Sequence, residues 1–458
     1  MFRGISIIKT MEEKTQEKEI RYSKLSLEEL KELAEQGDAK AQNSFANLYC
    51  YGKDVKKDYK KAVKWYSKSA VQGNAVAQFN LASCYYNECG VERDLKKAVE
   101  WWTKSAEQGY SDAQNSLAVC YLLGEGIRKS YKKAADLLTK AAERGDWNAQ
   151  HNLALCYERG DGVKKNYQKA FEWFSKAADQ GEACSQFKLG ECYREGIGVE
   201  IDAVKAVKWY SKSAEQGYAK AQFSLAVCYD SEYGVDKDME KAVEWFKRAA
   251  EQGHMEAQYN LAVCYGNGDG VEKDPKMAIK WYVKSAEQGY GPAEYNLALC
   301  YDEGEGVRKN RVKAIELYKK AVANGIRLAF NNLGVIYERG KGVKKDLKKA
   351  VEWYKLGAYF GDAGAQFGLA LCYYYGRGVD VDLVRAIEWY TKSAEQGFTM
   401  AQNNLARCYQ KGFGVEKDLV KALEWANKAA ENGDEKAKVT VQDIRQEMNE
   451  LSPHLCNH

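Results

Sequence analysis

Proline is almost missing from this chain, with three residues in 458, and histidine is scarcer than chance at four. So little proline leaves long stretches free to be helical and, together with the charged and hydrophobic content, argues against a disordered chain. The histidines (His151, His254, His454, His458) are scattered and there is no paired CxxC, so zinc-ligand spacing is lacking. No apolar run approaches a membrane span, and the N-terminal "ISII" is too short for a signal-peptide core. An excess of one charge is also lacking: 69 Lys+Arg face 65 Asp+Glu, a net of +4. That is poor support for a general nucleic-acid or anionic-membrane binder, which needs concentrated basic charge. Enzyme signatures are missing too, with no phosphate-binding loop, HExxH or nucleophile elbow. What remains is 29% charged and 45% hydrophobic, the composition of a foldable, soluble, helical protein long enough for two to four domains.

What is present is repetition. The stretch "YNLAVCYGNGDGVEKDP" (259–275) returns 36 residues later as "YNLALCYDEGEGVRKN". With position one at Ala39, eleven 36-residue copies fill residues 39–434 without an insertion. A fixed period of this length signals a solenoid. Apolar positions three, seven, eight, ten and eleven make one helical face. This first helix is expected to end at "GxGV", where position sixteen is Gly in ten copies and Asp54 in the first. Position twenty is Asp, Asn or Ser in all eleven, which are N-cap residues for a second helix, and Pro275 follows Asp274 at N1. Position thirty-five is always Gly, as a left-handed C-terminal cap requires. Residues 25–38 read as an N-terminal capping half-repeat and 435–451 as a C-terminal capping helix. Residues 1–24 read as a disordered leader, with Met11 an alternative start, and 452–458 as a tail.

The pattern "AxAQxxLAxCYxxGxGVxKDxxKAxxWYxKSAEQG" resembles the Sel-one-like repeat (SLR), a relative of the tetratricopeptide-like helical repeats. The resemblance covers about nine-tenths of the chain. It implies an all-α fold, an α/α right-handed superhelical solenoid of about eleven 36-residue helix-turn-helix repeats, with first helices concave and second helices convex. It implies an adaptor or scaffold for protein complexes; with the enzyme signatures and signal peptide missing, the chain is expected to be non-catalytic, without cofactors and cytoplasmic. A cysteine-rich branch of that family bridges its helices with two cysteines per copy, and some of its members are β-lactamase-like; this chain lacks that pattern. Helical repeats that read RNA are a third class, disfavoured by the near-neutral charge.

Two ladders imitate chemistry. Trp stands at position twenty-seven in nine copies, with an aromatic usually beside it, a pattern of core packing rather than a cofactor box. Cysteine stands at position ten in nine copies, from Cys84 to Cys408. Equivalent helices in adjacent repeats lie roughly 9–10 Å apart, beyond the ~7 Å limit for a disulfide, so these read as buried, reduced thiols. Two RGD tripeptides (144–146 and 159–161) fall where the repeat already wants Gly beside polar residues.

Function therefore moves to the first helices. Asn80, Asn152, Asn260, Asn296, Asn332 and Asn404 occupy position six. Mid-helix asparagine costs several tenths of a kcal/mol relative to alanine. Its amide both donates and accepts, so it can clamp the backbone of an extended peptide, an arrangement some tetratricopeptide-like proteins resemble. Around them, Phe223, Tyr259 and Tyr295 at position five, with Val263 and Leu299 at position nine, would read the peptide's side chains. The alternatives are that the asparagines solvate the groove or cap local backbone, and that the chain is a structural or regulatory solenoid acting through convex or terminal surfaces. The partner expected is a protein or peptide, with no specific nucleic acid, no membrane insertion and a monomeric state.

Overall fold

The computed structural model describes Tyr22 and residues 25–451. Apart from Tyr22, the leader over residues 1–24 lies outside the described residues, as does the tail over 452–458. The described residues hold 24 α-helices and no strand, an all-α solenoid. The chain divides into two compact units, Met1–Lys237 and Asp238–His458. Within each, a whole copy supplies two helices, as in Ala39–Tyr51 followed by Tyr59–Val71; the sixth copy is divided, with Ala219–Ser231 in the first unit and Met239–Glu251 in the second. The Asp58 N–H donates to the Tyr49 carbonyl (2.9 Å), and the Ser69 hydroxyl to the carbonyl of Ala39 (2.5 Å). The end of each helix thus meets the start of its sibling, and the pair is antiparallel.

Position twenty caps as its chemistry demands: in all eleven copies its side chain accepts from an N–H of the second helix's first turn, as Asp58 does from Lys61 (3.0 Å). The first helix ends earlier than its sequence suggests. It stops at position thirteen, and the left-handed cap is position fourteen, as at Gly52 (φ 72°); Glu88 and Glu232 hold that conformation without glycine's freedom. Position sixteen does something else. A Cβ on Gly90 or Gly162 would collide with the backbone carbonyl that opens the preceding copy's second helix, at Tyr59 and Tyr131. Asp54 holds that place in the first copy with a positive φ of 61°.

The innermost layer is position twenty-eight: Tyr66, Trp102, Phe174 and Tyr210 are wholly buried. The position-twenty-seven tryptophans are an outer layer, eight of them carrying a Lys or Arg cation 4.0–4.4 Å from the ring centroid. Before the first copy, Leu30 and Ala34 pack on Ala41 and Phe45. After the last, Val441 and Ile444 of helix Glu435–Leu451 pack on Ala406, Ala422 and Ala426.

The cysteines are free among the described residues, and nearly all at position ten are buried. Burial pushes the Cys120 and Cys156 thiols up to about 12 and Cys228 and Cys408 to about 11, so they carry almost no thiolate at neutral pH. Thiol titration of non-oxidised protein should therefore find close to all 13 cysteines after denaturation and only a slow fraction before it. Reproducible disulfides would contradict this packing. Gly145 and Gly162 give a second check. Both have positive φ, but a Cβ on Gly145 meets nothing. Gly145→Ala should cost only the left-handed strain, about 1–2 kcal/mol. Gly162→Ala should cost clearly more in denaturant unfolding, because backbone must also move.

Candidate functional site

The first-helix face is fixed by a residue whose role the sequence hides. Position four is glutamine in nine copies, and each is buried, as Gln42, Gln78 and Gln150 are at 4–5% exposure. In all nine its Nε2 donates back to the position-thirty-two carbonyl of the preceding helix, at 3.0–3.4 Å. In seven its Oε1 accepts from the Gln or Asn at position thirty-four of its own copy, as from Gln180 to Gln150 (2.8 Å). One side-chain amide thus joins three helices. Its only signal in the sequence is the recurring "AQ" in the first turn.

The asparagines at position six lie where successive first helices meet. In the first unit, Asn80 and Asn152 are 5% and 1% exposed and donate to Asn43 (3.1 Å) and Asn115 (2.8 Å), at position five of the preceding copy. So deep a position turns these two inward, towards the fold. In the second unit the bond has the same register but a shallower setting. Half-buried Asn296 donates to the Tyr259 hydroxyl (3.3 Å) and the Tyr282 hydroxyl (3.3 Å), and Asn332 to the Tyr295 hydroxyl (3.3 Å). Asn404 donates to Tyr390 (3.4 Å), and Asn260 is half-buried. Val263 and Leu299 are half-buried beside them, as is Phe223 in the first unit.

Position five is coupled to position thirty-six, the N-cap of the next copy's first helix. Where position five is Asn or His, position thirty-six is Asn74, Asp146, Glu182, Asp362 or Asp434, and its side chain accepts from that helix's first turn. Where position five is aromatic the side-chain cap is given up, and in four of those six copies a ring pair replaces it: Phe79–Tyr110, Phe187–Tyr218, Tyr259–Tyr290 and Phe367–Phe398 have centroids 5.2–5.4 Å apart, while Phe223 is matched with His254 and Tyr295 with Ile326. Tyr259 is thereby held edge-on by Tyr290, with Tyr282 tilted against it.

At the N-terminal end of this face in the second unit lies a recess of about 450 Å³, lined by Tyr295, Asn331, Asn332, Asp362 and Phe398 among others. Gly364 at its wall keeps it open; a Cβ there would crowd Asn331. Burial pushes the Asp362 carboxyl above its ordinary range, opposed by its bond from the Ala365 N–H and by Arg327. Tyr295 and Asn332 are therefore brought together on one surface. No group of three metal-ligating side chains occurs among the described residues, and none of their helices is long and apolar enough to cross a membrane.

The Sel1 repeat model matches residues 39–74, 75–110, 111–146, 147–182, 185–218, 219–254, 256–290, 291–326, 329–361, 363–398 and 399–434. Among solved structures, the chain is similar to c5321, a protective antigen present in uropathogenic Escherichia coli strains and displaying an SLR fold. The two are 38% identical with a TM-score of 0.82, over 92% of this chain and 91% of that one. A Sel1 repeat protein from Oxalobacter formigenes is 30% identical with a TM-score of 0.53, over 68% of this chain and 90% of its own. No curated protein matches.

The glutamine joint can be tested directly. Gln150→Leu removes the bonds to the Ala142 carbonyl and from Gln180, leaving that carbonyl with only its main-chain donor and the Gln180 amide without its acceptor. It should destabilise the fold by about 1–3 kcal/mol in denaturant unfolding, against under ~0.5 kcal/mol for the same change at an exposed glutamine.

Proposed function

The chain belongs to the Sel1 repeat family, and we propose that it is a non-catalytic scaffold that binds an extended segment of a partner protein along the first helices of its second unit. The observation that carries this is the recess where Tyr295 and Asn332 meet beside Asn331, Asp362 and Phe398. Asn296 and Asn332 use Nδ2 within the fold, so Oδ1 is the atom offered to a peptide N–H. Asn260 and Asn404 extend the row on either side, while Val263 and Leu299 supply apolar contact between asparagines. Asn80 and Asn152 are set aside, because a buried side chain presents no surface to a ligand. Phe223 keeps a half-buried place on the first unit's face. The helices Leu27–Glu35 and Glu435–Leu451 act as end caps that cover apolar repeat surface. The partner meets the protein in the cytoplasm, where reduced thiols persist.

One observation favours a second reading of location. The similar E. coli protein is described as a protective antigen, which fits a solenoid that meets its partner outside the cytoplasm. Cell fractionation with antibody to the folded chain separates the two.

For the site itself, a pull-down with the intact chain followed by mass spectrometry identifies the partner. Asn260→Ala, Asn296→Ala and Asn332→Ala together should leave the helical circular dichroism unchanged. They should weaken the partner's binding more than about tenfold, at roughly 0.5–1.5 kcal/mol per bond. Unchanged affinity would move the site to the second helices or the ends.

A further inference from the structure

Among the departures of the third copy from its siblings, two along its second helix and its C-cap coincide. Position twenty-seven, tryptophan in nine copies, is Leu137; position thirty-four, an amide side chain in most, is Arg144. The smaller side chain leaves a cleft of about 840 Å³ between helices Leu95–Glu107 and Tyr131–Glu143, floored by Leu117 and Tyr121. Arg144 cannot replace the missing amide, because its guanidinium turns to the Gly109 carbonyl instead. Gln114, 4% exposed and lining the same cleft, is left with a buried Oε1 that has no hydrogen-bond partner. Its siblings fill that bond from position thirty-four. Lys140 stands where other copies hold a cation over an indole, and here has no ring beneath it. The eighth copy shows that leucine alone does not suffice: Leu317 is covered at 7% exposure, and Asn324 still donates to Glu294 (2.8 Å).

We propose that this cleft is a binding site for a tryptophan residue of a partner polypeptide, whose indole sits over Leu137 beneath Lys140 while a main-chain N–H donates to Gln114 Oε1. The identity of the occupant is written in the other copies, which place an indole and an amide donor at these same two positions. Seven helical steps take the chain from Leu137 to Arg144, about 10 Å, which one residue with its flanking amide spans. Charge agrees: Lys133, Lys140 and Arg144 are balanced by Glu107, Asp136 and Glu143, a neutral lining that suits an uncharged peptide and disfavours a phosphate. The site lies on second helices and stands apart from the first-helix reading.

The test uses the full chain and N-acetyltryptophanamide, followed by calorimetry or ligand-observed NMR, with N-acetylleucinamide as comparator. The wild type should show one saturable site for the tryptophan derivative. Leu137→Trp, which supplies the ring from within, should abolish binding and raise the thermal midpoint. Arg144→Gln, which restores the donor to Gln114, should weaken binding about fivefold or more by occupying its acceptor. Absence of saturable binding, equal binding of the leucine derivative, or unchanged binding by Leu137→Trp overturns the site. Unchanged binding by Arg144→Gln overturns the role of Gln114.

Discussion

A single buried amide governs this architecture. The position-four glutamine reaches back to a carbonyl at the end of one helix and forward to the side chain of another, while sitting in the first turn of a third. Burying a primary amide is unfavourable unless its donor and acceptor are both met. Only one spacing of the three helices meets them, so the glutamine sets both the internal angle of a copy and its seat on the previous one. Ninth-copy Phe330 and Phe360 show the alternative. There the amide pair is exchanged for two rings stacked 5.7 Å apart at 13°, an apolar solution at the same two positions.

Much of this was legible beforehand. The 36-residue period, the capping side chain at position twenty and the left-handed glycine at position thirty-five follow from local rules that one helix end imposes on one or two residues. What was not legible depends on neighbours. The glycine at position sixteen reads as a helix terminator but is there because another backbone passes too close. The tryptophans at position twenty-seven and the aromatics at twenty-eight look equivalent in sequence, yet Trp173 is half-buried and Phe174 sealed. The depth of the asparagines was equally hidden: Asn152 and Asn332 occupy the same position, and only the side chain opposite, Asn115 or Tyr295, distinguishes their settings.

Side-chain choices in this protein come as pairs within a copy. Positions four and thirty-four are amide with amide, acid with amide, or ring with ring, as in Gln42–Gln72, Glu294–Asn324 and Phe330–Phe360. Positions five and thirty-six are mostly ring with ring or polar with cap, with Tyr295 and Ile326 an exception. Where a pair is broken, as at Gln114 and Arg144, a cleft and an orphaned acceptor appear together. The face a partner would meet is thus patterned by which of the two solutions each copy has taken.

The crowded glycine at position sixteen has a consequence for how such a chain changes length. It meets its neighbour through main-chain atoms, and the glutamine also grips a main-chain carbonyl, so these contacts ignore which residue the neighbour carries. Junctions of this kind are interchangeable. A copy gained or lost in frame finds a compatible socket on either side, and it is side-chain bonds between copies, such as that of the asparagine at position six to its predecessor or of Tyr86 to Glu125, that notice the order has been shuffled.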